Sequence, residues 1–328
     1  MGKSKSDVGS SAGKEASCNP SSSMQGSLAD VGAASMNSKP VLTHAQCASS
    51  HAYAPGLFRS VGKGERKTAK LDVLYTCNEN LMMHYRGPEP LGADDLRVFL
   101  GLIALAGLGD EDGKVMVGPE PQSELGRELR SLMGLKQDDR AQLSVVKGSF
   151  RRLSSAIGLA ESGRTFDLLR QSIERLFETT VIRITPTVSA DGKPGVKRQP
   201  FRLLSRADSD SSAGTLLVAL NPALTEAITG NAHYLRMALD EMRQLKSDAT
   251  LLAWFRLQFI NRGSSVKVGV DTLCGYVWPG EASDATMRKR RSRMYEVLQE
   301  LKTIGYGVER TGGVVNITRP KLLSASVH

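Results

Sequence analysis

The stretch that decides the fold is residues 271–305, which read DTLCGYVWPGEASDATMRKRRSRMYEVLQELKTIG. The pattern predicts a short helix, a Trp-Pro-Gly turn, and a second helix that begins after Ser283 or Asp284 and ends at Gly305. Ser and Asp are favoured before a helix because their side chains accept hydrogen bonds from free N–H groups of the first turn. Glycine is favoured after a helix because it adopts the left-handed backbone conformation at no cost. The stretch is therefore predicted to be a helix-turn-helix.

The second of these helices has two distinct faces when each residue is turned by about 100° from the last. Its apolar stripe, which must face a core, consists of Met287, Met294, Val297, Leu298, Leu301 and Ile304. The opposite face carries Arg288, Lys289, Ser292, Glu296 and, at its edge, Arg293. Arg290 and Arg291 flank the apolar stripe, where their stems can cover the rim of the core while the guanidinium groups reach outward.

The charges of this helix run against its dipole. Cations fill the first two turns and the carboxylates of Glu296 and Glu300 come later, whereas the dipole favours the reverse order. A nucleic-acid partner explains the order, because the first residues of such a helix contact phosphates and base edges in the major groove. The DNA-binding residues predicted here are Arg288, Lys289, Ser292 and Arg293, with Arg290, Arg291 and Thr286 beside them. For a basic run taken alone, the alternative is a solvated face or a targeting tract.

A hairpin is predicted directly after this helix. Two β-prone runs, YGVER and VVNITRP, enclose a Thr-Gly-Gly turn at residues 311–313. A helix-turn-helix followed by a hairpin is the winged-helix pattern, which strengthens the nucleic-acid interpretation of the basic helix.

An earlier part of the chain repeats this order, from about residue 87 to 220. The helix predicted at 164–178 has an apolar face made by Phe166, Leu169, Ile173, Leu176 and Phe177. Its other face carries Arg164, Gln171 and Arg175, which we predict to contact DNA. Two β-prone runs follow, joined by the loop DGKPGVKRQ. Lys193, Lys197 and Arg198 of that loop are either a wing that contacts phosphates or a solvated loop tip.

Composition indicates a polyanionic partner. The chain of 328 residues has 43 basic and 34 acidic side chains, a net charge of +9 and a pI near 9.4. Its four cysteines are scattered without a CxxC pair, which favours neither a zinc site nor a disulfide framework and fits a reducing cytoplasm. The longest apolar run, residues 96–109, contains Arg97 and falls short of the roughly 20 residues that a membrane span needs. No membrane association and no secretory signal are predicted.

The predicted organisation has five parts. A disordered tail rich in Ser, Gly and Ala covers 1–50, because it lacks the large apolar groups that would offset chain entropy. A basic arm follows at 51–86, which is more simply an exposed connection than a base-reading element. The first winged-helix domain covers 87–230, the second 231–322, and a C-terminal tail 323–328. The predicted fold class is α+β, mainly helical, with two tandem winged-helix domains.

No active site is predicted. Neither GSSAGKE nor GDEDGKV has the spacing of a phosphate-binding Walker A loop. The five histidines are scattered, whereas an origin-nicking enzyme would need clustered metal ligands beside a nucleophilic tyrosine. We therefore expect no catalytic residue, no cofactor and no metal, with a nicking or primase-type enzyme as the alternative from another class.

Several motifs together resemble one known family. In chain order these are APGLFRSVGKGERKTAKLDVLY, GPEPLGADDLR, VVKGSFRRL, FRLLS, LVALNP, DTLCGYVWPGEAS, TMRKRRSR and NITRPK. From about Pro55 to Lys321 the chain resembles the RepC family of iteron-binding replication initiators of IncQ-type broad-host-range plasmids. The pairing of DTLCGYVWPGEAS with TMRKRR is its most specific part.

The resemblance implies a function that composition alone does not. Two winged-helix domains would bind directly repeated iterons at a plasmid origin, the second domain reading one major-groove segment and the first a neighbouring one. The resemblance also implies opening of an AT-rich region and recruitment of a separately encoded helicase and primase in the bacterial cytoplasm. A homodimer, formed through the first domain, would be in equilibrium with a DNA-binding monomer. A winged-helix transcriptional repressor shares the fold and is the remaining alternative.

Overall fold

The first strand, β1 (His44–Ala48), lies inside the segment predicted as the N-terminal tail and pairs antiparallel with β10 (Tyr234–Ala238). The computed structural model describes residues 42–107, 114–132, 135, 140–189, 191–210 and 214–321. The predicted tail is thus folded from residue 42 onward, because Ala45 and Cys47 are buried in the core. The rest of that tail, 1–41, and the predicted C-terminal tail, 323–328, lie outside the described residues.

Three further antiparallel sheets are present in the described part of the chain. The first has the order β2-β3-β6-β7 and comprises β2 (Leu71–Asn78), β3 (Leu81–Gly87), β6 (Thr180–Val188) and β7 (Pro194–Arg202). The second has the order β4-β5-β9-β8 and comprises β4 (Lys114–Val117), β5 (Leu143–Ser149), β8 (Leu204–Asp210) and β9 (Thr215–Leu220). The third has the order β11-β13-β12 and comprises β11 (Ser265–Gly269), β12 (Gly307–Thr311) and β13 (Val314–Thr318).

Helices are interspersed with these strands along the chain. They are α1 (Ser49–Ala52), α2 (Ala93–Ala106), α3 (Glu124–Leu132), α4 (Phe150–Ala156), α5 (Gly163–Glu178), α6 (Pro222–Ile228), α7 (Leu239–Gln244), α8 (Asp248–Arg256), α9 (Val270–Val277) and α10 (Asp284–Lys302). Several begin where a short polar side chain accepts a hydrogen bond from the first turn, as Ser162, Asn221 and Ser247 do. Across the described ranges, no helix combines the length and hydropathy that crossing a membrane requires.

Helix α2 is the centre of the fold. It contains most of the apolar run that begins at residue 96 and is too short to span a membrane, and nearly all of its residues are buried. A helix that is apolar on all sides belongs in an interior. Gly101 permits close packing there, because a Cβ atom at this position would lie 2.4 Å from Cγ2 of Ile157. The helix therefore serves as the surface against which neighbouring elements pack.

One apolar core extends across both predicted domains. Phe58 links them, with its ring 5.4 Å from that of Phe99 on α2 and 5.8 Å from that of Phe255 on α8. The core continues from Ala45 to Ile317, and a smaller cluster under β5 contains Val117, Leu129, Leu143, Val145 and Ala219. The predicted domains 87–230 and 231–322 thus share one interior.

The fold is mixed α and β, and the expectation of a mainly helical chain underestimated its strands. The β2–β3 hairpin takes up residues 71–86 of the predicted arm and ends at Gly87, the first residue of the predicted first domain. The run LSVVKGS in β5 contains adjacent valines, which favour strands because their branched side chains pack well on a pleated surface. The predicted loop DGKPGVKRQ is shorter than expected, because Lys197 and Arg198 lie within β7.

Candidate nucleic-acid interface

Helix α10 packs on the core through its predicted apolar stripe. Met294, Val297, Leu298 and Leu301 are buried, and Met287 and Ile304 are half-buried against the same cluster. The N-cap is Ser283, whose Oγ accepts a hydrogen bond from the backbone N–H of Thr286 (3.4 Å). Gly305 follows the helix with φ of 87°, the left-handed conformation expected of the residue that ends it. The predicted register of α10 is confirmed.

The opposite face of α10 is exposed and cationic. Arg288, Lys289 and Ser292 are exposed, and no carboxylate among the described residues pairs with Arg288 or Lys289. Arg293 forms an ion pair with Glu296 one turn on, yet its side chain remains 53 % exposed. Thr286 is exposed as well, and its hydroxyl lies 3.0 Å from that of Ser283. This face is therefore open to a partner.

Arg290 and Arg291 were expected to reach outward, and the structure places their guanidinium groups against α9 and the turn instead. Nη1 of Arg290 donates to the carbonyl oxygens of Trp278 (3.1 Å) and Gly280 (3.2 Å). Arg291 binds the carboxylate of Asp271 through Nε (2.6 Å) and Nη2 (2.8 Å). The hydrogen bond from Arg291 lowers the pKa of Asp271. Both arginines thus fix α10 relative to α9.

Glu300, late on α10, has a structural partner. Its carboxylate accepts hydrogen bonds from the backbone N–H groups of Lys246 (2.6 Å) and Ser247 (3.1 Å) and from Oγ1 of Thr250 (2.6 Å). Burial alone would raise the pKa of Glu300, but these hydrogen bonds outweigh it and lower the pKa. The carboxylate therefore stabilises the start of α8. This role explains why an anion stands at position 300, near the C-terminal end of α10, where the helix dipole disfavours it.

Helix α5 resembles α10 in its serine N-cap and its buried apolar face. Its N-cap Ser162 accepts a hydrogen bond from the backbone N–H of Thr165 (3.1 Å), and Leu169, Ile173 and Leu176 are buried. Phe166 and Phe177 are half-buried against the core. Arg164 and Gln171 are exposed, as the sequence predicted.

The predicted outward position of Arg175 is wrong. Its side chain is 9 % exposed, and its guanidinium group binds the buried carboxylate of Asp95 (2.8 Å) and that of Asp94 (3.2 Å) on α2. Arg66 binds the same two carboxylates, at 2.7 Å from Asp94 and 3.0 Å from Asp95. Burial, and then the charge of Asp94, raise the pKa of Asp95, while Arg175 opposes the shift. Arg175 therefore joins α5 to α2 and is not available to DNA.

The β6–β7 hairpin projects basic side chains. Lys193 pairs with Asp191 (3.0 Å) at the tip and is 82 % exposed. Lys197 and Arg198 are exposed on β7, and because successive strand residues alternate, they lie on opposite faces of the hairpin. Arg183 on β6 is also exposed and shares the face of Lys197, since its register partner is Gln199. The sequence interpretation missed Arg183. Alternation along β6 places Arg183 on the same face as the buried Val181, so the sequence pattern alone does not indicate that Arg183 is exposed.

The described residues hold no group of three His, Cys, Asp or Glu side chains that could bind a metal ion. The described residues thus form two exposed basic surfaces, one on α10 and one on the β6–β7 hairpin. The first belongs to the helix pair α9–α10 and its hairpin β12–β13, and the second to the helix pair α4–α5 and its hairpin β6–β7.

Comparison with known proteins agrees with a role in replication. A family model described as Replication protein C (RepC) matches residues 39–321. A search of curated proteins finds no match. Among solved structures, a selenomethionine crystal structure of domains 2 and 3 of RctB is similar, with a TM-score of 0.52, 14 % identity, and coverage of 83 % of this chain and 99 % of that chain. A second crystal structure of RctB domains 2–3 gives a TM-score of 0.50, 14 % identity, and coverage of 79 % and 92 %. At this identity the likeness concerns the fold.

Proposed function

The chain belongs to the Replication protein C (RepC) family, and from that premise we propose that it is a plasmid replication initiator that binds directly repeated iterons at its origin. Binding energy would come from neutralised phosphates, and specificity from side chains on α10 that reach base edges in the major groove.

The observation that carries this proposal is the exposed face of α10. Arg288 and Lys289 are exposed on a helix whose other side is buried and whose orientation is fixed by Arg290 and Arg291. A DNA-reading side chain must be held in place by packing, because loose placement loses both affinity and specificity. The face thus has the exposure, charge and rigidity that direct readout requires.

We propose that both helix–hairpin units are winged helices. In the second unit the order is α8-β11-α9-α10-β12-β13. The first unit contains α2, β5, α4, α5, β6 and β7 in a similar order, but β4 and α3 are inserted between α2 and β5, and β5 pairs with β4 and β9, whereas β11 pairs with the hairpin strand β13. The second unit would present α10 to the major groove. The first would contact the neighbouring segment through Arg164 and Gln171 on α5 and through the basic hairpin.

Partners follow from the same proposal. The bound protein would promote local opening of an AT-rich region and recruit a plasmid-encoded helicase and primase in the bacterial cytoplasm. A homodimer would be in equilibrium with the DNA-binding monomer. Analytical ultracentrifugation with and without iteron DNA tests this equilibrium, and a single unchanging monomer would contradict it.

A footprint on the cognate origin tests the function itself. We expect tandem protected segments whose centres are separated by whole helical turns, about 10 to 10.5 base pairs or multiples of that spacing. One isolated operator at a promoter would favour a repressor instead. Strand cleavage or primer synthesis by the purified protein with a divalent metal would favour an enzyme.

A further inference from the structure

A cleft of about 880 Å³ lies away from the exposed face of α10. Its walls are the loop at residues 60–67, the start of α2, the connection from α4 to α5, and the connection from α7 to α8. Its cationic lining residues are Lys63, Arg66, Lys67, Arg97, Arg243 and Lys246. The volume lies within the roughly 300 to 1,000 Å³ of typical small-molecule sites.

Three of these cations already have ion-pair or hydrogen-bond partners. Arg66 binds Asp94, and Arg243 binds Asp240 at 2.6 Å. Arg97 is largely buried and donates to the backbone carbonyl of Leu245 (2.7 Å). Burial lowers the pKa of Arg97, and the nearby carboxylate of Asp248, which also lines the cleft, opposes the shift.

The three lysines are different. Lys63, Lys67 and Lys246 are exposed, and none of them forms an ion pair with a carboxylate among the described residues. Glu65 is the acidic residue nearest in sequence to both Lys63 and Lys67, and its carboxylate forms an ion pair with Arg59 (2.6 Å). The cleft therefore carries uncompensated positive charge.

The loop that carries Lys63 and Lys67 is held in one conformation. Glu65 accepts a hydrogen bond from the backbone N–H of Gly62 (2.7 Å), and Gly64 has φ of 80°. A side chain at Gly64 would be strained because only glycine adopts this conformation freely. The backbone N–H of Ser60 donates to the carbonyl oxygen of Val277 on α9 (2.9 Å), which joins the loop to the helix pair.

The opposite wall is also held in place. The backbone N–H of Lys246 donates to the carboxylate of Glu300 on α10. The backbone that carries the lysines is thus fixed on both walls before any ligand arrives, and a fixed backbone reduces the entropy cost of binding.

We propose that this cleft is a binding site for the phosphate group of a nucleotide, held by Lys63, Lys67 and Lys246. Lysine ammonium groups bind phosphate as compact point charges. Leu159, Leu168 and Leu245 supply apolar surface in the same cleft, which suits a sugar or a base beside the phosphate. The phosphate belongs either to a DNA strand or to a free nucleotide. This site does not depend on iteron binding by α10.

The test compares two triple variants of the full chain. K63A/K67A/K246A removes the three cleft lysines, and K70A/K147A/K302A removes three exposed lysines elsewhere with the same change in net charge. A labelled oligothymidylate is followed by fluorescence anisotropy, and inorganic tripolyphosphate by calorimetry, both at low salt. We expect the cleft variant to bind each probe about tenfold more weakly or worse, because it lacks three cations that form charge-assisted hydrogen bonds to phosphate. The control should stay within about threefold of wild type.

The results distinguish the two sources of the phosphate, and they distinguish failure of the proposed site from failure of the proposed function. Binding of tripolyphosphate to the cleft indicates a free phosphate compound, whereas binding of the oligonucleotide alone indicates a DNA strand. Equal losses in both variants, or no binding of either probe by wild type, would overturn the site. Circular dichroism and thermal unfolding check that both variants fold. If the triple variant is unstable, the single variant K63Q replaces it in the binding measurements. An unchanged origin footprint for the cleft variant leaves the proposed function intact whichever result is found.

Discussion

The two helix–hairpin units can be compared residue by residue when α5 and α10 are aligned on their capping serines, Ser162 and Ser283. Each serine accepts a hydrogen bond from the N–H of a threonine three residues on. The core-facing pairs then correspond as Phe166 with Met287, Ile173 with Met294, and Leu176 with Val297. The buried sides of the two helices are thus built on one pattern.

Other positions of the two helices differ, including one on the buried side of α5. The position of Arg175, buried against Asp95, is taken in α10 by the exposed Glu296. The position of the buried Leu169 is taken by Arg290, which binds carbonyl groups of the turn. Exposed cations lie on the helix in the second unit, and in the first unit they lie mainly on the hairpin, with Arg164 exposed on α5. A shared apolar pattern therefore leaves the placement of charge free to differ.

The largest expected difference between α5 and α10 is in how much a substitution at the aligned position changes the free energy of unfolding. Arg175→Ala should lower the free energy of unfolding by about 3 kcal/mol, because it leaves the buried carboxylate of Asp95 and the half-buried one of Asp94 with one arginine instead of two. Glu296→Ala, at the aligned position on α10, should change it by about 0.5 kcal/mol or less because that side chain is exposed. Urea denaturation of both variants measures the difference. Equal small changes would mean that Arg175 is not a structural residue.

DNA recognition gives the next contrast. If Arg288 reads a base, Arg288→Ala should cost about 1 to 3 kcal/mol of specific binding, concentrated at one base pair, with little effect on random duplex. Asp167→Ala, at the aligned position on α5, removes a negative charge and should not weaken binding. Titration against a set of singly substituted iterons measures both variants. A uniform loss across all sequences would identify Arg288 as a phosphate contact.

The hairpins provide a third contrast, in salt dependence. If Lys197 and Arg198 contact phosphates, the double substitution to alanine should reduce the slope of log K against log salt by about 1.8, or 0.9 for each contact. Thr311→Ala at the tip of the β12–β13 hairpin removes no charge and should leave the slope unchanged. Binding isotherms at several salt concentrations give the slopes. No change in the double variant would indicate a solvated hairpin.

The smallest effect concerns the contact between α9 and α10. Because Arg291 lowers the pKa of Asp271, this pair contributes stability above the unfolded pKa of about 3.9 and loses it as pH falls through the folded value. Asp271→Asn should therefore unfold at a slightly lower temperature than wild type at pH 7, with the difference vanishing in acid. Asp167→Asn, whose partner Arg170 lies on the same helix, is the matched control. A difference that persists at low pH would assign the effect to packing.

The sequence correctly predicted those features that depend on residues close together within one helix or strand. The apolar stripe of α10, its serine cap and Gly305 follow from helical periodicity and local hydrogen bonding, and the structure confirms them. Arg175 could not be placed in this way, because its partners Asp94 and Asp95 lie about 80 residues earlier in the chain. The orientations of Arg290 and Arg291 likewise depend on a turn and a helix that only the folded chain brings together.

The interior that Phe58, Phe99 and Phe255 share has a consequence for how new specificities can arise. A chimaera that exchanges everything after residue 230 between two family members would have to match these rings as one set, and would also separate β1 from its partner β10. Such exchanges should mostly give misfolded products. Replacing a few surface side chains on α10 disturbs none of these contacts, so retargeting to a different origin is expected to proceed by point substitution and not by recombination of whole modules.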